Sequence, residues 1–242
     1  MKKKTFLALG IALLLPLISY LIVKNMSEEV TIMPPRYFYD TVVTNVVNGK
    51  LSVDTVWHKV ENITLTNQLN EEVSLYDLEG KIVVLDFFFT RCPSICPMLT
   101  SNMKKLQNSM KIRDRRKLSD TAFVHFISIS IDPERDSVPA LKEYSDKHGV
   151  NSDVWWLLTG EKQKIYDFIL NELKLATVDG EGVDENFIHS ERFVLLDKDK
   201  VVRGFYNGLD STSVLKLAED IVYLKMEKDP NAKRDLFKPK PL

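Results

Sequence analysis

Residues 80–110 read GKIVVLDFFFTRCPSICPMLTSNMKKLQNSM, and this stretch decides the fold expected for the chain. Its first part, residues 80–90, is a nearly continuous apolar run rich in β-forming residues, which is typical of a strand buried on both faces of a sheet. The residues that follow Cys96 repeat apolar side chains at helical spacing. The sequence therefore predicts a buried strand that leads into a helix. Cys92 and Cys96, the two cysteines of the chain, lie at the junction.

The rest of the chain continues this alternation of strands and helices. The predicted elements are strands over residues 61–68, 121–132 and 155–160, helices over residues 137–149 and 161–173, a hairpin that turns at residues 197–200, and a last helix over residues 212–226. We expect the strand over residues 61–68 to lie at a sheet edge, because its apolar and polar residues alternate. Alternating elements of this kind predict an α/β sandwich with a parallel core.

The N-terminal residues indicate a membrane segment. Three lysines, residues 2–4, precede an uncharged stretch over residues 5–23, which is close to the ~20 residues that a membrane-spanning helix needs. The stretch is longer than the ~7–15-residue core of a cleaved signal peptide, and no small-residue cleavage site follows it. We therefore expect residues 1–24 to hold cytoplasmic lysines and an uncleaved membrane anchor. A cleaved signal peptide is the alternative.

Both alternatives place the folded domain on the extracytoplasmic side, which is the periplasm in a Gram-negative bacterium. Residues 25–58 are expected to form a tether with a possible hairpin, because an Asn-Gly pair lies between two β-forming runs. Residues 59–228 are expected to form the domain, and residues 229–242 a loose tail. The formal net charge of −1 gives no sign of a nucleic-acid-binding protein.

The spacing of Cys92 and Cys96 favours reactive thiols or metal ligands over a structural disulfide. Extracytoplasmic cysteines often pair, but a structural disulfide usually closes a longer loop than these two residues enclose. Cys96 is predicted in the first turn of a helix, where unpaired N–H groups and the helix dipole favour a thiolate. Residues four apart share a helix face, so the two sulfur atoms can converge on a disulfide or on one soft metal ion.

Four histidines are candidates for a third metal ligand. His125 lies inside a predicted buried strand and is interpreted as a core histidine with satisfied hydrogen bonds. His148 lies at a polar helix end, and His58 lies in the tether. His189 comes just before a predicted strand, where it is either a surface residue or a ligand that can reach the start of the cysteine helix. Two thiolates and one imidazole suit Cu(I) and Cu(II), whereas structural zinc needs a fourth ligand that the sequence does not offer.

Several segments together resemble the Sco/SenC family. They are residues 86–107, 128–144, 155–160 and 187–197, which read DFFFTRCPSICPMLTSNMKKLQ, SISIDPERDSVPALKEY, WWLLTG and FIHSERFVLLD. The resemblance implies a thioredoxin-like three-layer sandwich with an N-terminal membrane anchor and an exported domain. It also implies copper delivery to the dinuclear copper centre of cytochrome c oxidase, or thiol–disulfide chemistry on the cysteines of that centre. The implied partner is the oxidase subunit that carries this centre.

The resemblance also assigns roles to individual residues. It implies that Cys92, Cys96 and His189 bind copper and that Asp132 lies near the metal without binding it. Ile188 stands where the family usually has a polar residue before the histidine, which is a departure in the local sequence of this loop.

Two redox functions compete with a copper metallochaperone. In a thiol–disulfide oxidoreductase, Cys92 and Cys96 would form the redox pair. Thioredoxin-type reductants have two residues between their cysteines, whereas this chain has three, so the spacing favours metal binding. A thiol peroxidase needs threonine or serine three residues before its reactive cysteine, where this chain has Phe89 and Pro93. The sequence thus predicts a copper metallochaperone, with a membrane-anchored oxidoreductase as the alternative.

Overall fold

The computed structural model describes residues 14–21, 33–47, 50–110, 123–175 and 191–227. The chain divides into two compact units, Met1–Met33 and Pro34–Leu242. Within the first unit, residues 14–21 are helical. In the described part of the chain, no helix has both the length and the apolar character required to cross a membrane. The predicted tail over residues 229–242 lies outside the described residues.

The second unit contains nine strands and four α-helices among the described residues. The strands are β1 (Tyr39–Val47), β2 (Lys50–Trp57), β3 (Thr64–Asn67), β4 (Glu72–Ser74), β5 (Ile82–Phe88), β6 (Val124–Ser130), β7 (Trp155–Thr159), β8 (Arg192–Leu196) and β9 (Val202–Asn207). The helices are α1 (Ile95–Ser109), α2 (Val138–His148), α3 (Lys162–Asp167) and α4 (Ser211–Met226). A 3₁₀ turn spans Leu75–Leu78, and a π-helical turn over Phe168–Glu172 continues α3.

Seven strands form one mixed sheet in the order β4-β3-β7-β6-β5-β8-β9. The central strands β5, β6 and β7 are parallel, as the sequence predicts. The strands on either side of this core pair antiparallel, β3 with β7 and β8 with β5. Because β5 is an interior strand and is buried along its whole length, the residues that follow it are held away from the sheet edges at one sheet end.

Helices cover both faces of this sheet, which makes the domain a three-layer sandwich. Helices α1, α2 and α4 pack on one face through Leu99, Leu141 and Leu217. Helix α3 and the π-helical turn pack on the other face through Ile165 and Phe168. Alternate residues of β5 and β6 contribute to the two cores, since successive side chains of a strand point to opposite faces.

The predicted hairpin in the tether is present as a separate two-stranded ribbon. Strands β1 and β2 pair antiparallel from Tyr39 opposite Trp57 to Val47 opposite Lys50. They form their own sheet and do not join the seven-stranded sheet. The sequence signal for this hairpin is local, because two β-forming runs flank an Asn-Gly pair.

Three details differ from the sequence expectations. The strand over residues 61–68 was expected at an edge, but β4 pairs on its outer side. The helix expected over residues 161–173 is α-helical only to Asp167 and then widens into the π-helical turn. His125 is buried as expected, yet neither ring nitrogen has a hydrogen-bond partner among the described residues. Short strands and π-turns depend on tertiary pairing, which leaves little trace in local sequence patterns.

Candidate metal centre

Both cysteines lie at the junction between β5 and α1, and both thiols are free. Cys92 belongs to the loop between these elements, and its N–H donates to the Phe89 carbonyl at 3.2 Å. Cys96 lies in the first turn of α1. Their side chains are nearly inaccessible, with relative exposures of 8% for Cys92 and 3% for Cys96. The structure therefore confirms the predicted strand-to-helix junction and places both thiols just beneath the protein surface.

The sulfur atom of Cys92 caps helix α1. Ser94 occupies the N-cap position, but its side chain makes no capping hydrogen bond. The N–H of Cys96 donates instead to Cys92 Sγ at 3.3 Å. The first N–H groups of a helix have no partner within the helix and carry the positive end of its dipole. The Cys92 sulfur thus lies where a negative charge is stabilised.

The pKa values of the two thiols are shifted in opposite directions. Burial raises the pKa of the Cys92 thiol, but hydrogen bonds from the Cys96 side chain and from the N–H groups of Cys96, Ser94 and Ile95 outweigh it, so the pKa lies below its ordinary value. Burial, together with Cys92 and the charge of Asp86, raises the pKa of the Cys96 thiol to about 12. Cys92 is therefore the thiolate-forming member of the pair, and Cys96 remains a thiol until a metal or a proton acceptor removes its proton.

Asp136 fixes the loop that leads to Cys92. Its carboxylate is almost completely buried, and it accepts hydrogen bonds from the backbone N–H of Thr90 at 3.0 Å and from the Thr90 hydroxyl. It also accepts one from the Ser130 hydroxyl at 2.6 Å, and Ser130 Oγ in turn accepts the N–H of Asp132. Asp136 thereby joins the loop after β6 to the loop after β5. Hydrogen bonds to an ionised carboxylate are among the stronger ones in proteins.

Asp132 precedes Asp136 by four residues and lies in a different environment. Its side chain is partly exposed and forms an ion pair with Arg135 Nη1 at 3.5 Å. The family resemblance selects Asp132 and not Asp136, although both occur in the same SIDPERD segment. The pattern contains no signal that tells which of the two carboxylates points inward. A role for Asp132 close to a metal stays a prediction.

A second buried carboxyl group, Asp86, lies in β5 beneath the cysteines. It is 1% exposed, and alternation along the strand places it on the face that α1 covers. No described residue donates a hydrogen bond of good geometry to either carboxyl oxygen. Burial raises the pKa of Asp86 to about 7 against the opposing effect of Ser128, its neighbour on β6. The hydroxyl of Ser128 accepts the indole N–H of Trp155 at 2.9 Å.

Three of the four histidines lie away from the cysteines. His125 pairs with Val83 at the beginning of β5, five residues before Phe88, which corresponds to about 17 Å along a strand. His58 contacts Asp40 and Glu172 beside the β1–β2 hairpin, and His148 ends α2. None of these three is placed to share a metal with Cys92 and Cys96.

His189 lies outside the described residues. Two residues later, the carbonyl of Glu191 accepts the N–H of Gly208 at 2.7 Å, and β8 then begins at Arg192. Strand β8 runs antiparallel to β5, with Val194 opposite Leu85, so the first residues of β8 lie at the cysteine end of the sheet. Within the described residues, no cluster contains three or more histidine, cysteine, aspartate or glutamate side chains able to hold a metal.

Comparison with known proteins agrees with this arrangement. Residues 57–224 match the SCO1/SenC family. The chain belongs to the SCO1/SenC family. The SCO1 protein homolog of Bacillus subtilis is 34% identical over 174 residues, covering 72% of this chain and 86% of the relative.

Solved Sco structures share the fold. BsSco, described as a member of the Sco family of cytochrome c oxidase assembly proteins with a disulfide switch, superposes with a TM-score of 0.58 at 31% identity. That match covers 72% of this chain and 98% of BsSco. Yeast Sco1 with copper bound has the same fold, with a TM-score of 0.55 at 20% identity over 73% of this chain and 98% of the yeast chain. These likenesses confirm the thioredoxin-like α/β fold of the Sco domain.

Proposed function

We propose that this Sco protein binds one copper ion through the sulfur atoms of Cys92 and Cys96 and the imidazole of His189. In this proposal it delivers the ion to the dinuclear copper centre of cytochrome c oxidase. The observation that supports it best is the pair of free thiols at one helix N-terminus, joined by the hydrogen bond from the Cys96 N–H to Cys92 Sγ. Thiolates are the soft ligands that select Cu(I), and an added imidazole also accommodates Cu(II).

The topology supports His189 as the third ligand. It precedes β8 by three residues, and β8 begins at the sheet end where Cys92 and Cys96 lie. The other three histidines belong to other parts of the domain. The copper-bound yeast Sco1 has the same fold, and BsSco is described as a member of a family of oxidase assembly proteins. Both descriptions agree with copper as the cargo and the oxidase as the recipient.

The difference in pKa between the two thiols favours reversible copper binding. Cys92 lies in a loop and readily forms a thiolate, so it can accept copper first and release it to a competing thiolate of the partner. Cys96 is fixed within α1, and copper binding must displace its proton. Transfer by stepwise ligand exchange then keeps the ion bound to sulfur throughout.

A competition titration with a Cu(I) chelator tests this site on the reduced full-length chain. We expect one copper per chain, no binding by Cys92→Ser or Cys96→Ser, and about tenfold or greater weakening by His189→Ala, which corresponds to about 1.4 kcal/mol or more of binding free energy. His148→Ala is the matched control and should bind like the parent. Parent-like affinity of the His189 variant would show that the site has no histidine ligand at this position.

A thiol reductant is the second candidate function, favoured by the unequal acidities of the two thiols. The Cys92 thiolate would attack a disulfide of the partner, forming a mixed disulfide and releasing one partner thiolate. Cys96 would lose its proton and attack Cys92 Sγ, which completes the Cys92–Cys96 disulfide and releases the second partner thiolate. Two electrons pass from this chain to the partner. The copper-free receiving site must be reduced before it can bind copper, so both reactions can serve one process.

One comparison of variants separates these functions. His189→Ala should retain disulfide exchange with a peptide disulfide while losing copper affinity, because the histidine has no part in the exchange. Oxidase assembly in cells that carry this variant then reports which activity matters. Failed assembly supports copper delivery, and normal assembly supports the reductant.

We also propose that residues 1–24 anchor the protein in the membrane and leave the Sco domain on its extracytoplasmic side. The uncharged stretch over residues 5–23 and the three preceding lysines support this topology. Carbonate extraction of membranes and N-terminal sequencing test it together. We expect the chain to stay in the membrane fraction with an intact N-terminus. A mature chain that begins after Val23 would instead indicate a cleaved signal peptide.

A further inference from the structure

The β1–β2 hairpin exposes an unusual concentration of apolar side chains. Six large hydrophobic residues of this ribbon are exposed, namely Tyr39, Val42, Val43, Leu51, Val53 and Val56. Leu51 and Val53 are 76% and 67% exposed. An isolated two-stranded hairpin is only marginally stable in water, and contiguous exposed apolar surface usually marks an interaction site. Nearly all of this hairpin also precedes residue 57, where the family match begins.

Five uncharged side chains share one face of the hairpin. Val42 pairs with Thr55, and Thr44 pairs with Val53, so these four side chains share a face with Leu51. We call these five residues the uncharged face. The opposite face differs, because Val43 pairs with Asp54 there. The uncharged face thus offers apolar contact without the cost of burying a charge.

The base of the hairpin is fixed to the folded domain. The N–H of Tyr37 donates to the Val202 carbonyl at 2.9 Å. His58 Nδ1 lies 2.8 Å from Asp40 Oδ1, and His58 Nε2 lies 3.4 Å from Glu172 Oε2. The hairpin is therefore attached at its base to the domain, and its exposed surface has a defined place on the molecule.

The base of the hairpin lies at the end of the sheet opposite the cysteines. Val202 follows the turn between β8 and β9, and this turn lies beside the start of β5, because Leu196 pairs with Val83. Cys92 follows the other end of β5. The chain also enters the domain at the hairpin end, where the carbonyl of Pro34 accepts two hydrogen bonds from Arg203 at 2.7 and 3.0 Å.

We propose that the uncharged face of the hairpin lies on the lipid surface of the membrane that holds residues 5–23. This inference rests on the membrane attachment proposed above. Only 15 residues, 24–38, separate the apolar stretch from β1, and they span at most about 50 Å. Any attached membrane therefore lies within reach of the end of the domain from which the hairpin emerges.

The composition of the hairpin fits lipid as the occupant. Tyr39 and Trp57 pair across its base, and aromatic side chains of this kind are enriched at the membrane–water interface. Open strand edges cannot enter the hydrocarbon core, so the ribbon must lie flat in the interfacial layer, where water still reaches its edges. A protein partner that takes copper meets the opposite end of the domain. Docking on lipid at the hairpin end leaves the cysteine end facing away from the membrane.

Photo-crosslinking of the full-length chain tests this placement. The probe is p-benzoylphenylalanine in place of Val53, in vesicles of phosphatidylethanolamine and phosphatidylglycerol. The same probe in place of Leu215 is the matched control, because Leu215 is 66% exposed but follows Gly208 at the cysteine end. We expect lipid adducts at position 53 and few at position 215. A second change, Leu51→Asp, should reduce the adducts at position 53 by about tenfold, as expected for loss of one buried apolar side chain.

Flotation of the vesicles distinguishes failure of the hairpin placement from failure of the membrane attachment. If the chain floats with the vesicles but position 53 forms no lipid adduct, the membrane attachment stands and the hairpin placement is wrong. If position 53 crosslinks to a protein or to a second copy of the chain, the occupant is a protein and the lipid proposal is overturned. If the chain does not float, the proposed membrane attachment fails, and the hairpin placement fails with it.

Discussion

Two buried ionisable groups of the central sheet, Arg203 near the hairpin end and Asp86 near the cysteine end, differ in their hydrogen-bond partners. At the hairpin end, the guanidinium of Arg203 is buried and has partners on every side: Asp197 at 2.9 Å, Glu227 at 2.7 Å and the Pro34 carbonyl. Towards the cysteine end, Asp86 is equally buried, yet no described residue donates it a hydrogen bond of good geometry.

This difference points to a structural role for Arg203 and a chemical role for Asp86. A fully partnered buried charge holds its surroundings in one arrangement, and Arg203 holds together the chain entry, the β8–β9 turn and the end of α4. An unpartnered buried carboxyl group instead destabilises the fold when ionised, and such perturbed groups concentrate at functional sites. Arg203 is therefore suited to fix the structure around it, and Asp86 is suited to respond to pH.

Removing the guanidinium of Arg203 should have the largest effect on stability. In Arg203→Met, Asp197 remains buried without its partner, and loss of one member of a buried pair costs about 3–5 kcal/mol. Chemical denaturation measures the free energy of unfolding. Lys142→Met is the control, because Lys142 pairs with Asp146 on the surface, where such pairs contribute about 1 kcal/mol or less. Equal effects of the two changes would show that the Arg203 network does not hold this end together.

Replacing Asp86 with asparagine should raise stability at neutral pH. The pKa of Asp86 is raised from 3.8 to about 7 in the folded protein, so its protonated form is favoured by folding. The stability of the parent should therefore fall as pH rises from about 4 to about 7, by up to about 4 kcal/mol. Asp86→Asn should remove this part of the pH dependence. Parallel pH profiles for the parent and the variant would contradict the assignment.

Removing the Asp136 carboxylate should loosen the cysteine loop at a smaller cost. Asp136→Ala deletes the hydrogen bonds to Thr90 and Ser130, and bonds to a charged group are each worth about 1.5–3 kcal/mol. We expect a net loss of about 1.5–3 kcal/mol in unfolding free energy, because the loosened loop lets water replace part of these bonds, together with weaker Cu(I) binding. Asp132→Ala is the control and should change stability little, because its ion pair with Arg135 is on the surface. A larger effect at Asp132 than at Asp136 would mean that Asp132, and not Asp136, fixes the cysteine loop.

The smallest expected effect concerns the two thiols themselves. Alkylation requires thiolate, so the metal-free reduced protein should react with iodoacetamide at Cys92 at a lower pH than at Cys96. At neutral pH we expect Cys92 to react about tenfold faster or more. Mass spectrometry of the alkylated peptides measures both rates in one sample. Identical pH profiles would mean that the helix N-terminus does not distinguish the two sulfur atoms.

The sequence predicts the fold well where local pattern and burial coincide. The central strands are continuous apolar runs, the β1–β2 hairpin flanks an Asn-Gly pair, and Gly149 ends α2 with a positive φ of 62°. β4 was missed because three residues carry almost no periodicity. The edge position expected for the strand over residues 61–68 was also wrong, because β4 pairs on the outer side of β3 and strand order depends on contacts far apart in sequence.

The candidate site could be predicted only in part. The cysteine spacing and the following helix single out Cys92 and Cys96 as candidates. The choice between Asp132 and Asp136 depends on which carboxylate turns inward, and the burial of Asp86 depends on α1 covering β5. Neither is encoded in a local pattern. His189 stays a prediction, supported by its sequence position before β8 and by the family resemblance.

X-ray absorption at the copper edge tests the central claim most directly. The full-length chain is reduced, loaded with one equivalent of Cu(I), and compared with His189→Ala. We predict two sulfur donors and one nitrogen donor in the parent, and loss of the nitrogen donor with both sulfur donors kept in the variant. A parent spectrum with sulfur donors alone, or a variant spectrum identical to that of the parent, would contradict the three-ligand site.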